Sequence, residues 1–314
     1  MLDPCMKIVS FVASALLIAG AGLAQSGGPF TVPELGRSFY RLDDAFNAIG
    51  KGEGTVVVAP GTYKDCATFG GQSITLRAAT PSTAIFDGGA CGGKATLVFN
   101  GMNAVVDGIV FQNIAVRDGN GAGIRLEWGN LVVTRSTFRN SQEGILTGPY
   151  EAGTITIERS TFSGLGGCPD SGCAHSIYVG GYGKLTVSKC RFEKGTGGHY
   201  VKSRAAVNEI TDSSFDDSGG KNTNYMIDLP AGSVGLIARN EFVQGKGKEN
   251  HSALIAIAAE ARDNPSAGLR IEGNSASLAP GAPVNPVFVA DWSREKLVIG
   301  VNKLGAGIRP FETR

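Results

Sequence analysis

The sequence predicts an all-β solenoid, a single-stranded parallel β-helix with a capping helix at its N-terminal end. Three observations carry the prediction. Six phenylalanines, Phe111, Phe138, Phe162, Phe192, Phe215 and Phe242, recur at intervals of 27, 24, 30, 23 and 27 residues. Each closes a short β-type run of one form: AVVDGIVF, LVVTRSTF, TITIERSTF, KLTVSKCRF, VNEITDSSF and VGLIARNEF. Composition agrees, because 46 glycines in 314 residues and only 18% charged side chains suit a turn-rich β chain. A period in the twenties built from strands means that each rung buries its apolar face only by stacking on its neighbours.

The elements follow in order. Residues 6–24, MKIVSFVASALLIAGAGLA, place one lysine before a short apolar run that ends in small residues, the pattern of a secretory leader. We therefore expect segment 1–24 to be removed and 25–314 to form one exported domain, periplasmic or secreted and monomeric. Residues 38–50, SFYRLDDAFNAIG, carry Leu42, Ala45, Phe46 and Ile49 at helical spacing and stop at glycine, which predicts a helix covering the open end of the solenoid. The first strand follows in TVVVAPGTY. Beyond Glu260 the repeat loosens, and GLRIEGNS and KLVIGVNKL read as irregular terminal rungs and a C-terminal cap, with a proline-rich stretch between them.

Export permits disulfides. Cys66 and Cys91 lie 25 residues apart, about one rung, and stacking would bring them together, while Cys168 and Cys173 can close the loop GCPDSGC. Cys190 is left as a buried thiol. Zinc at Cys168 and Cys173 is disfavoured, since the spacing is not CxxC and no second pair follows.

A second strand follows each phenylalanine run: GIRLEW, GILTG, HSIYVG, HYVKSR, YMIDLP and ALIAIA. With Ile124, Ile145, Ile177, Val201, Ile227 and Ile255 pointing inward, period-two alternation sends Arg125, Leu146, Tyr178, Lys202, Asp228 and Ala256 outward. Rungs are about 4.8 Å apart, so successive entries of this column are spatial neighbours. Two of the three histidines, His175 and His199, share one offset, two residues before Ile177 and Val201, and Arg204 stands two residues beyond Lys202.

This gathering of His, Tyr, Lys, Arg and Asp on one face of a charge-poor chain is the most site-like feature of the sequence. Polysaccharides containing uronic acids are cut by β-elimination, which needs a cation facing the carboxylate, a base and an acid. Lys202, with Arg204 about 7 Å away favouring the neutral amine, is the expected base, assisted by Arg204, His199 and Tyr178. His175, Arg125, Asp228 and Tyr200 are expected to bind substrate. The opposing reading is that Asp228 pairs with Lys202 in a plain charge ladder, quenching the base, and that the histidines are turn residues.

With 29 basic against 28 acidic residues, no net field draws the chain to nucleic acid or, once the leader is gone, to a membrane, so a polyanionic polysaccharide must be met locally. No cofactor is expected. Calcium at Asp212, Asp216 and Asp217 is the alternative, although no recognisable calcium loop surrounds them. Asn250, His251 and Glu260 can extend the groove. A non-catalytic carbohydrate-binding or envelope-surface scaffold remains open as a second function, and a glycoside hydrolase, which wants two facing carboxylates, as a third.

The blocks HSIYVG, GHYVKSRA and YMIDLPAG, with the spaced set Asn250, Leu254, Ile255 and Glu260, resemble a group of exported bacterial right-handed parallel β-helix proteins of the pectin-lyase-like superfamily. The resemblance spans most of residues 39–275 and implies the fold rather than a reaction. A narrower similarity is to the alginate lyase and chondroitinase B family, where a Lys-Ser on a strand supplies the base and an Arg about one rung later the acid. Lys202 and Ser203 match the first element. Arg239 falls in the right stretch for the second, but in a different strand of its rung. The signatures of polygalacturonases, pectate lyases and pectin methylesterases are not matched.

Overall fold

The phenylalanines form a continuous column along one wall of a right-handed parallel β-helix. A computed structural model describes residues 27–168 and 172–314, so the expected leader, 1–24, lies outside the described residues. Each rung contributes one strand to each of three sheets of 12, 10 and 10 strands, referred to below as the long, phenylalanine and groove sheets. In the phenylalanine sheet, Phe111, Phe138, Phe162, Phe192, Phe215 and Phe242 pair in direct register. Their rings stack at 4.9, 4.9, 4.9, 4.7 and 5.0 Å between centroids. Each ring is at most 1% exposed. Burial of such a side chain contributes about 1.5–3 kcal/mol, and ring stacking adds about 0.5–1.5 kcal/mol.

The corner between the long and phenylalanine sheets is a second repeated device. Arg135, Arg159, Lys189, Asp212 and Arg239 all adopt left-handed φ, between 48° and 57°. The next residue turns inward and caps the preceding rung. Ser136 accepts from Ile109 N–H at 3.3 Å, Ser160 from Ser136 at 3.2 Å, and Ser213 from Cys190 at 3.0 Å. The series continues with Asn240 accepting from Ser213, Asn274 from Asn240 and Asn302 from Asn274. Cys190 stands where its neighbours are serines, which is why its thiol is buried and burial pushes it up to about 12.

The expected cap is the helix Leu42–Ile49, which buries Leu42, Ala45 and Phe46 over the first rung, with the Phe46 ring edge-on to Phe69. The strands Phe30–Val32 and Arg37–Phe39 add an antiparallel ribbon to the long sheet that the repeat does not announce. Both expected disulfides are present, Cys66–Cys91 and Cys168–Cys173.

Two readings need correction at the C-terminal end. The proline-rich stretch contains a full groove strand, Val287–Asp291, with every residue buried. In place of a separate cap, the winding continues through Val298–Ile299, Lys303–Leu304 and Arg309–Thr313, the last pairing in parallel with Val287–Asp291.

Candidate functional site

The outer wall of the groove sheet is built from three-residue strands, Ile177–Val179, Val201–Ser203 and Ile227–Leu229. They pair in the expected register: Ile145↔Ile177, Ile177↔Val201, Val201↔Ile227 and Ile227↔Ile255. Tyr178, Lys202 and Asp228 are therefore successive outward residues.

Two residues before the inward Ile177, Val201 and Ile227 stands a second column, made of imidazoles and a phenol. His175 and His199 lie 5.0 Å apart between centroids, and Tyr178 and Tyr225 flank them at 5.7 Å each. Gly198 makes this approach possible. It holds φ at 60°, and a Cβ there would sit 2.1 Å from the Ala174 carbonyl oxygen and 2.7 Å from His175 Nδ1.

The tautomers follow from the hydrogen bonds. The His199 backbone N–H donates to His175 Nδ1 at 3.0 Å, so that nitrogen is an acceptor. His199 Nδ1, 3.2 Å from it, is then the donor, which leaves the lone pair on His199 Nε2. Burial, then the neighbouring His175 and Lys202, holds His199 well below the usual histidine range. Burial and Lys202 lower His175 to about 3, so both rings are neutral near pH 7.

Lys202 Nζ lies 3.2 Å from Asp228 Oδ2 and 2.5 Å from Glu260 Oε1. Arg204 donates from Nη2 to the other oxygen of Glu260 and from Nε to the Tyr178 hydroxyl at 3.2 Å. Asp228 is almost fully enclosed. Burial raises its carboxyl to about 6 against the pull of Lys202, its Oδ2 is 3.6 Å from His199 Nε2, and its Oδ1 has no partner. A depression of ≈ 750 Å³ opens beside Arg204, walled by Glu151, Tyr182, Ala231, Asp263 and Asn264.

Of the residues singled out by sequence, Tyr178, His175, His199, Lys202, Arg204 and Asp228 come together. Three others do not. Tyr200 is 1% exposed and faces inward, donating to Asp217 Oδ1 at 2.7 Å and packing on Phe192 and Phe215, so it is a core residue rather than a substrate contact. Arg125 stands in the same column, but Leu146 separates it from Tyr178, and it is bound to Glu127. Arg239 sits at the corner between the other two sheets, paired with Asp212 at 2.7 Å.

The Asp228 pairing, expected as a solvated ladder, is instead desolvated, with side-chain exposures of 11% for Lys202 and 3% for Asp228. Lys202 Nζ thus faces two carboxylates, those of Asp228 and Glu260, rather than standing open to the groove. The acidic run 211–217 does not converge on a cation. Asp212 holds Arg239, Asp216 holds Ser218, and Asp217 is buried against Lys248. Among the described residues, no group of three or more His, Cys, Asp or Glu is arranged to hold a metal ion.

Sequence reasoning missed two site residues, Glu143 and Tyr225, and the contacts of a third, Glu260. Glu143 lies two residues before Ile145, the offset of the histidines, and its Oε1 accepts the His175 N–H at 3.3 Å. Its Oε2 is buried without a partner, and burial raises the carboxyl to about 8. Tyr225 shares that offset on the rung of Ile227. Glu260, seen only as an extension of the groove, reaches back over two rungs to hold Lys202 and Arg204.

No family model matches the chain, and no curated protein matches it in sequence. Solved structures do. The ORF18 protein of Geobacillus virus E2 matches at 15% identity over 86% of this chain and 55% of its own, with a TM-score of 0.56. A PL6 family alginate lyase, AlyGC, matches at 16% identity over 84% of this chain and 38% of its own, also with a TM-score of 0.56. The chain thus spans about half of the first and less of the second. At these identities the likeness is one of fold alone, the parallel β-helix.

Proposed function

We propose that the protein binds an anionic, uronate-containing polysaccharide along the groove sheet and cleaves it by β-elimination. One observation carries the reading: Lys202 and Arg204 converge on a single carboxylate, that of Glu260, beside a neutral imidazole and a tyrosine hydroxyl. The named alginate lyase of the same fold supports the substrate class.

In this reading, Lys202 and Arg204 hold the uronate carboxylate and stabilise the negative charge that develops on it. His199 Nε2 takes the proton from the adjacent carbon. The C–H electron pair becomes the new C=C bond, and the C–O pair leaves with the glycosidic oxygen. Arg204 donates to the Tyr178 oxygen and so leaves the Tyr178 proton free for that departing oxygen. The two cations supply the positive charge, so the step calls on no cofactor. Lys202 is thereby reassigned from base to clamp, because its ammonium already donates to Asp228 and Glu260. The protein would act as an exported monomer, in the periplasm or outside the cell.

The test is incubation with alginate, pectate, hyaluronan and bacterial exopolysaccharides, following absorbance of the unsaturated product. His199→Ala is expected to lower kcat by about 100-fold or more, the usual worth of a general base. Reducing ends without the chromophore would replace the lyase by a hydrolase. Binding without product would leave a carbohydrate-binding scaffold.

A further inference from the structure

Glu260 is unlike the other carboxylate on Lys202. Asp228 belongs to a strand and its side chain is 3% exposed, whereas Glu260 follows the strand Ala253–Ile257 in an irregular turn and its side chain is 44% exposed. The turn itself is firmly hung. The Glu260 and Ala261 N–H groups both donate to the Pro230 carbonyl, at 3.0 and 2.8 Å, and Ala258 holds a left-handed φ of 56°. The backbone is thus fixed, and from it the carboxylate reaches into the site, where its two oxygens are divided between Lys202 and Arg204.

A planar carboxylate held edge-on by an ammonium and a guanidinium has the charge and shape of the C6 carboxylate of a uronic acid. We propose that Glu260 is a resident competitor, occupying the carboxylate subsite formed by Lys202 and Arg204 until a uronate displaces it. The inference rests on the functional reading above and deepens it. Its chemistry also makes the site selective. A substrate carboxylate replaces one anion by another and leaves both cations satisfied, whereas a neutral sugar would strip Lys202 and Arg204 of their partner and offer only hydroxyls. Ion pairs with an exposed member are individually weak and screened by salt, which keeps the exchange reversible.

The experiment measures binding of free glucuronate, with glucose as the neutral control, to the wild-type protein, Glu260→Ala and Glu260→Ala/Arg204→Ala by calorimetry. Glu260→Ala is expected to bind glucuronate at least ten-fold more tightly than wild type and glucose no better, and the added Arg204→Ala change to abolish the gain. Glu260→Gln, which keeps the side-chain volume, carries the same comparison if the alanine variant does not fold. Equal glucuronate affinity in folded wild type and variant, or a gain shared by glucose, would overturn the proposal. Because the readout is binding of a monosaccharide, absence of polysaccharide cleavage would count against the lyase reading and leave this comparison standing.

Discussion

Glu143→Gln should make the protein more stable, by an amount that grows with pH. Glu143 is 2% exposed, one oxygen accepts the His175 N–H, and the other has no partner. Burial raises its carboxyl from an ordinary 4.5 to about 8. Because the folded value lies above the unfolded one, its contribution is intact below about pH 4.5 and is lost as the pH climbs towards 8. Glutamine keeps the shape and can still accept from His175, but carries no charge. At about 1.4 kcal/mol for each pH unit across this window, the variant should gain about 0.8 kcal/mol at about pH 5 and about 4 kcal/mol at about pH 7.5.

Asp228 titrates in part of the same window, and His175, lowered to about 3, costs stability as the pH falls below its ordinary 6.5, but both effects are common to the two proteins and cancel in the difference. Urea unfolding of both proteins at the two pH values, with equal m-values, measures it. A difference that stays flat between those pH values, or a variant less stable at the higher one, would refute the buried, proton-holding carboxyl.

Two other outcomes are expected. Phe162→Ala removes a ring stacked at 4.9 Å on both Phe138 and Phe192 and should cost about 3–5 kcal/mol, read from the urea midpoint; a loss under about 1 kcal/mol would show that the column is not close-packed. Lys248→Met breaks an ion pair with Asp217 in which both side chains are 0% exposed and should cost about 3–5 kcal/mol, while the double change with Asp217→Asn should recover a large part; no recovery would mean that the lysine acts through packing.

Much of this was legible in the chain, because repeats of similar form fix each other's register. Once Ile124, Ile145, Ile177, Val201, Ile227 and Ile255 are aligned, Tyr178, Lys202 and Asp228 must be neighbours, and so must His175 and His199. Tyr200 was misplaced because alternation fails at the start of the groove strands, where the residue before the inward isoleucine or valine is buried as well, as at Ser176, Tyr200, Met226 and Leu254. On earlier rungs this position is Gly123 or Gly144, whose Cβ would strike the ring of Phe138 or Phe162. Glu143 was legible by offset but lies one residue before the segment read as the strand. Glu260 was not legible as the partner of Lys202 and Arg204, since its contacts with them span 58 and 56 residues and depend on the path of a turn. The strand Val287–Asp291 was hidden by the prolines just before it, Pro280, Pro283 and Pro286.

The polar corner between the long and phenylalanine sheets has a direction. In each link the backbone N–H of one rung is satisfied by a side chain from the next, 23 to 34 residues later in the chain. A nascent or translocating polypeptide that emerges N-terminus first therefore cannot finish any corner when that corner appears. It waits for one further turn, about 1–7 s at a synthesis rate of about 5–20 residues per second. Winding would then trail the exit site by a constant interval, and a chain arrested at any point would always carry one unfinished corner at its leading turn.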